Sequence, residues 1–329
     1  MRSRKLRPGH RRPAALAAVA LAALCASASA LAVATAPPGK TQLVTRPSGS
    51  APIEPSAAAD SLLSGARTVS ADGRYVAFLS RADGLLPGAD DDLAFGAYVK
   101  DRQTGEVLLA SRADGPGGAP VEVFALGISL SAAGGAIRVA FSTTAALDPA
   151  DANSQPDVYV RNLTTGATVL ASRASGAAGA PGNGASFFPA LSGDGTHVSF
   201  TTLSTNLAGD ADAVPDVHLR DLVAGTTVLV SRQSFIAGGA KGNGPSVLSL
   251  PDADGSHVAF TSSATNLDAA DANTRTDVYL GTSPARSPSR RSSAGPTASA
   301  SPSATRPWTG SRRSAPTAAT SPSSRTRPT

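Results

Sequence analysis

Between residues 64 and 280 the apolar positions come in short runs, separated by clusters of Gly, Asp, Asn, Ser and Pro. Tyr75-Val-Ala-Phe78 and Ala97-Tyr-Val-Lys100 are of this kind. Both are rich in β-branched and aromatic residues and bounded by turn formers, the signature of strands. Glu106-Val-Leu-Leu-Ala110 follows as a third strand, entered through a Thr104-Gly105 turn. A fourth, weaker apolar run precedes each later unit, at Phe187-Phe188 and Val247-Leu248. It follows Gly182-Asn-Gly184 or Gly242-Asn-Gly244, and Asn-Gly suits a turn with positive φ at its central residues. No run carries the 3.6-residue period of an amphipathic helix.

The pattern repeats. The first run ends at Phe78, Phe141, Phe200 and Phe260, and the second contains Tyr98, Tyr159, His218 and Tyr279. A closing Ser-Arg falls at Ser111-Arg112, Ser172-Arg173 and Ser231-Arg232. The period is about 60 residues, a spacing that marks repeat architectures. Four antiparallel strands repeated radially build a β-propeller blade. The expectation is therefore an all-β propeller of about three full repeats and a partial fourth.

The consensus, Ser-x-Asp-Gly-x-x-Val-Ala-Phe, then Asn-Leu, then Asp-x-Asn-x-x-x-Asp-Val-Tyr-Val-Arg-Asp, resembles the WD-like repeat of TolB-type β-propellers. It is most similar to the long-repeat versions in secreted actinobacterial proteins. The resemblance covers residues 64–280. It implies a propeller, and it implies little about activity, because related propellers serve as binding modules, as scaffolds before peptidases, and as lyases.

Outside the repeats the composition changes. Residues 1–30 read as an export signal, with six basic residues before an apolar Ala14–Leu24 stretch and an Ala28-Ser29-Ala30 cleavage site. The alternative is an uncleaved anchor. Residues 31–63 are a Pro/Ser/Ala-rich linker, with a strand around Thr41–Thr45 as a candidate to complete the first blade. Residues 281–329 contain no Asp, Glu, Val, Ile, Leu, Phe or Tyr, and such a composition predicts disorder. The break falls inside a repeat, where Gly281-Thr282-Ser283 replaces the Arg220-Asp221-Leu222 of the previous unit. Restoring one base after the Leu280 codon would return Arg-Asp-Leu, so a reading-frame shift is expected, with further blades in the intact protein. A natural linker tail is the other reading.

The net charge of +5 comes from the ends. Residues 31–280 hold 15 Lys and Arg against 24 Asp and Glu, or −9. Nucleic-acid binding requires a basic footprint on the folded part, so it is not expected. The one cysteine, Cys25, lies in the signal, which excludes disulfides from a processed chain.

Candidate chemistry is sparse. His197 and His257 occupy the same place in successive repeats and His218 takes the place of Tyr159, so all three read as strand positions. There is no Gly-x-Ser-x-Gly elbow, no His-Glu-x-x-His and no phosphate loop. The remaining candidate is an acidic loop present three times: Asp151, Asn153, Asp157; Asp210, Asp212, Asp216; and Asp271, Asn273, Asp277. The first repeat is degenerate, with Asp90 and Asp92. Alternating oxygens of this kind suit Ca²⁺, although the Gly and late Glu of a calcium-binding helix-loop-helix are missing. The competing reading is Asx turns that cap loop amides. No organic cofactor is expected. The expectation is an exported, non-catalytic module that binds a protein, peptide or glycan. The alternatives are the propeller portion of a secreted hydrolase or lyase, and a surface or cell-wall structural protein.

Overall fold

The structure is a computed structural model that describes residues 41–48, 60–86, 93–233, 239–271 and 273–282. The export-signal reading, residues 283–329 of the tail, and Asp90 and Asp92 lie outside the described residues; Gly281 and Thr282, expected to open the disordered tail, instead end a strand, where they pair with Val258 and His257. Among the described residues every regular element is a strand, and no helix is long and apolar enough to cross a membrane.

Among the described residues fifteen strands form four antiparallel sheets in chain order. Blade 1 comprises β1 (Ser61–Leu62), β2 (Tyr75–Ser80), β3 (Gly96–Asp101) and β4 (Val107–Leu109). Blade 2 comprises β5 (Ile128–Ala133), β6 (Ala136–Thr143), β7 (Asp157–Asn162) and β8 (Thr168–Leu170). Blade 3 comprises β9 (Ser186–Leu191), β10 (His197–Thr202), β11 (Asp216–Asp221) and β12 (Thr226–Leu229). Blade 4 has three strands, β13 (Ser246–Pro251), β14 (His257–Ser262) and β15 (Asp277–Thr282). Three complete units and a partial one match the repeat count.

The turns follow the local sequence. In blades 1 and 3 the Ser hydroxyl of Ser-x-Asp-Gly donates to the Asp carboxylate, at 2.6 Å for Ser70–Asp72 and 2.7 Å for Ser192–Asp194. The same hydroxyl accepts the amide that opens the next strand, from Tyr75 or His197. Blade 2 replaces this device with Gly134-Gly135, both at positive φ (59° and 77°), a tight hairpin between β5 and β6.

Blades 2 and 3 are buried on two faces because each stacks between two neighbours. One face carries a stacked pair, Phe78–Tyr98, Phe141–Tyr159, Phe200–His218 or Phe260–Tyr279, with centroids 5.6 to 6.5 Å apart. The other carries smaller residues such as Ala140, Val158 and Val160 in blade 2. The aromatic face of one blade packs on the small-residue face of the one before. Phe141 and Tyr159 thus meet Ala77, Ala97 and Val99 of blade 1, and Phe260 meets Val217 and Leu219 of blade 3. Burying an aromatic of this size stabilises by about 1.5–3 kcal/mol. These junctions, repeated along the chain, are the core.

Basic side chains tie the blades together. Arg161 of β7 donates to the carbonyls of Ala113 and Gly115 in the loop after blade 1, and to Gly166 O and Thr168 Oγ1 of its own blade. Arg220 of β11 does the same with Ala174 O, Gly176 O and Thr227 Oγ1. In blade 1 the role falls to Lys100, whose Nζ donates to Arg46 O, Pro47 O and Gly105 O. Residues 41–48 form no strand. They lie on the aromatic face of blade 1, with Val44 against the Phe78 and Tyr98 cluster.

Candidate functional site

The acidic loops sit at the start of the third strand of their blades, and the three copies are wired differently. In blade 2, Tyr159 donates its hydroxyl to Asp151 Oδ2 at 2.5 Å, and Ser172 donates to Asp157 Oδ1 at 2.5 Å. Asn153 donates to Gly182 O at 2.6 Å and accepts from the Gln155 amide, an Asx turn. Burial pushes the Asp157 carboxyl up to about 7; the bond from Ser172 opposes this and the charge of Asp151 adds to it.

In blade 3 the second position is Asp212 instead of Asn. Asp210, Asp212 and Asp216 converge, with one oxygen of each within 4.8 Å of the others. Lys241 fills the convergence, its Nζ 2.8 Å from Asp210, 2.5 Å from Asp212 and 2.6 Å from Asp216. Burial disfavours the ammonium, but the hydrogen bonds it donates to all three carboxylates outweigh this and raise its pKa. Burial also raises Asp216 to about 6, against the bonds from Lys241 and Ser231. The ammonium stands where a cation would sit, so a metal here must displace it.

In blade 4, Tyr279 donates to Asp271 Oδ2 at 2.5 Å and Asn273 makes the Asx turn with Arg275. Asp277 is exposed, unlike Asp157 and Asp216. The loops of blades 2 and 4 thus keep two carboxylates and an amide, oxygen donors of the chemistry that Ca²⁺ takes. Most of those donors are also engaged in turns and strand ties.

The histidines occupy strand positions. His218 stacks on Phe200 with centroids 6.0 Å apart. Burial lowers its pKa to about 4. His197 is buried, with Nδ1 2.8 Å from Thr196 Oγ1 and Nε2 3.5 Å from Asp221. His257 lies near Ser256 and Asp252, three residue types that can act in nucleophilic catalysis. Here both partners approach the same ring atom, Nδ1, at 2.9 Å. A relay needs the acid and the nucleophile on opposite ring nitrogens, so this arrangement does not form one. Burial raises the Asp252 carboxyl, but the bonds from His257 and Ser256 prevail and hold it at about 2.

Among the described residues, a cleft of about 340 Å³ is lined by the first strands of blades 3 and 4 and by residues next to the first strands of blades 1 and 2. Phe188 and Pro189 of β9, and Leu248 and Ser249 of β13, bulge opposite Phe200 and Phe260, where the ladders shift register. Phe188 and Leu248 adopt φ of 52° and 53°, a conformation that bulky L-residues rarely take. Gly127 (φ +127°) holds the matching place in blade 2 and packs against Phe188. Gly65 of blade 1 approaches Ile128 so closely that a Cβ would lie 2.1 Å from its carbonyl oxygen. Beside the cleft, Arg67 of blade 1 donates to Leu191 O and Pro251 O, each at 3.2 Å. A single guanidinium from blade 1 thus reaches the first strands of blades 3 and 4, so those strands share an axis. Four successive antiparallel sheets with their first strands on one axis are blades. The fold is a β-propeller.

No family model and no curated protein matches the chain. Solved structures do match it. A TolB from Agrobacterium tumefaciens has 15% identity and a TM-score of 0.38, over 66% of this chain and 57% of that one. TolB from Acinetobacter baumannii has 14% identity and a TM-score of 0.37, over 68% and 41%. An oligogalacturonate lyase in complex with manganese has 12% identity and a TM-score of 0.36, over 68% and 51%. The propeller spans about half the length of these proteins, and likeness at this level concerns the fold alone.

The acidic loops and the histidines are visible in the sequence as recurring positions. Lys241 and the axial bulges were missed. Pro189 inside an apolar run was the available signal for a bulge, since proline in a sheet is confined to edges and bulges. Lys241 replaces Pro120 and Pro181 of the earlier repeats, and it appears in the repeat that carries Asp212 in place of Asn.

Proposed function

We propose that the chain is an exported, non-catalytic propeller module that binds a protein or peptide partner through the axial cleft. The observation that carries this reading is the lining. Ser64, Gly65, Ala66, Gly127, Phe188, Pro189, Leu248, Ser249 and Leu250 offer apolar surface and backbone polar groups, and no titratable side chain. Acid–base and nucleophilic chemistry need such a side chain at the reacting atom. An apolar cleft with a few backbone groups suits an inserted side chain. Leu248 and Leu250 are open to solvent at its mouth, and the backbone strain at Phe188 and Leu248 belongs to the class that clusters at binding sites. Export rests on the basic and apolar pattern of residues 1–30.

The test is selection from a phage-displayed peptide library. Enrichment of peptides with a large apolar anchor is expected, with binding abolished by Leu248→Asp. Enrichment that survives Leu248→Asp, or turnover of peptide or polygalacturonate substrates by the purified chain, would overturn the reading.

A further inference from the structure

The junction of blades 2 and 3 has a two-part seam, and one half or the other recurs at the neighbouring junctions. First, the Ser of the Ser-Arg pair ties the fourth strand to the third. Ser172 accepts the Val158 amide at 2.9 Å and donates to Asp157; Ser231 accepts the Val217 amide at 3.1 Å and donates to Asp216 at 2.6 Å. Second, the loop after that Ser receives the next blade. Its carbonyls take the guanidinium of Arg161 or Arg220, and its polar side chain takes an amide of the next blade's fourth strand. That contact is Thr168 N–H to Asp114 and Thr227 N–H to Ser175, both 2.9 Å.

Residues 43–48 carry a similar sequence. Leu-Val-Thr-Arg-Pro-Ser aligns with Leu109–Asp114, Leu-Ala-Ser-Arg-Ala-Asp, and with Leu170–Ser175, Leu-Ala-Ser-Arg-Ala-Ser. They also perform the second half of the seam. Arg46 O and Pro47 O receive Lys100, and Ser48 Oγ accepts the Val107 amide at 2.8 Å. The first half is unmade: among the described residues no strand pairs with 41–48. Blade 4 shows the complementary gap. β15 has no fourth strand beside it among the described residues. Val278 and Leu280 are 77% and 68% exposed, whereas their counterparts Val217 and Leu219 in blade 3 are fully buried. Leu43 is 52% exposed, although Leu109 and Leu170 in its place are buried.

We propose that residues 41–48 of one copy form the fourth strand of blade 4 in a second copy. Thr45 takes the place of Ser172 and Ser231, accepting the Val278 amide and donating to Asp277. The donor's blade 1 then covers Val278 and Leu280, and Leu43 enters the blade 4 core. The addition is an edge-strand augmentation, and it continues the seam already built between the blades of one chain. The two halves lie at opposite ends of the described chain, so the contact is heterologous, and two copies satisfy it reciprocally when the rotation closes. This interface is separate from the axial cleft and does not depend on it.

The test uses the full chain with Cys25→Ser, carrying Thr45→Cys or Asp277→Cys. Mixing the two variants under mild oxidation is expected to yield a disulfide-linked species of twice the chain mass that neither variant yields alone. Light scattering of the parent at tens of micromolar is expected to give the same mass. Leu43→Asp changes a residue that is exposed in the single chain, so it is expected to leave a folded monomer. A monomeric parent would overturn the proposal. So would a dimer that persists in Leu43→Asp, or a Thr45→Cys/Asp277→Cys double variant that closes its disulfide within one chain.

Discussion

His218 stands where three other blades carry tyrosine, and the substitution leaves a measurable defect. In blades 2 and 4 the tyrosine hydroxyl donates to the first Asp of the acidic loop, Asp151 or Asp271. In blade 3 the corresponding oxygen, Asp210 Oδ2, is buried without a hydrogen bond, and so is His218 Nδ1. His218→Tyr should therefore restore a bond to a carboxylate, worth about 1.5–3 kcal/mol. The ring position already holds Tyr98 and Tyr159 at full burial in other blades, so overpacking is not expected. A second effect depends on pH. The folded pKa of His218, about 4, lies below the 6.5 of the unfolded chain. A depressed pKa means stability that is present above 6.5 and lost as pH falls through 4. Between pH 7.5 and pH 4.5 the loss integrates to about 2.5 kcal/mol. His218→Tyr removes a group that must charge on unfolding, so its advantage over the parent should widen by that amount in acid. Urea unfolding at the two pH values, with linear extrapolation, measures both quantities. A variant less stable than the parent at pH 7.5 would refute the hydrogen-bond argument. An equal acid-induced loss in both proteins would refute the linkage argument.

Other outcomes follow from the same geometry. Lys241→Met leaves Asp210, Asp212 and Asp216 without a counter-charge, and it should cost about 3–5 kcal/mol in EDTA. Millimolar Ca²⁺ should recover part of that loss by binding the folded state. The unfolding midpoint of the parent should be indifferent to EDTA, and a drop would mean that the loops of blade 2 or 4 hold metal. Asp157→Asn addresses a carboxyl whose folded pKa is raised to about 7 from 3.8. Its contribution is full below 3.8 and is lost as pH rises through 7, by up to about 3 kcal/mol between pH 4.5 and pH 7.5. The Asn variant should lose less stability over that interval in urea melts. Arg161→Met removes the donor shared by Ala113 O, Gly115 O, Gly166 O and Thr168 Oγ1. It should cost about 3 kcal/mol, and hydrogen exchange should rise first in the 112–118 loop.

The repeat was legible because its signals are local. Phe141 and Tyr159 pair directly across β6 and β7, so the recurrence of such a pair in every repeat marks both strands. Ser172 and Asp157 are likewise joined within one blade, and the spacing of Ser-Arg behind Asp recorded that bond. What was not legible depends on contacts between distant segments. Lys241 reaches Asp210 across 31 positions, and no local pattern marks an ammonium for a particular loop. Arg67 bonds a carbonyl 184 positions away. A carbonyl belongs to every residue type, so its acceptor leaves no trace in composition. Thr41–Thr45 reads as a candidate strand for the first blade, whereas residues 41–48 form no strand. The Arg46 carbonyl takes the Lys100 ammonium from 54 positions away, another acceptor that composition does not mark.

The ties between blades also bear on how such a chain can change its length. Arg161 and Arg220 seize backbone oxygens of the preceding loop, where an acidic partner would have been the alternative. Blades 2 and 3 therefore each bring their own fastener and ask of the preceding loop its backbone shape and one small polar side chain, Asp114 or Ser175. A gene segment copied in tandem would arrive compatible with both neighbours, without compensating substitutions in either. Lys100 performs the task in blade 1 with a different cation, so the demand on the fastener itself is loose. A fold joined in this way can gain or lose units by duplication and deletion more readily than one whose seams depend on matched pairs of charged side chains.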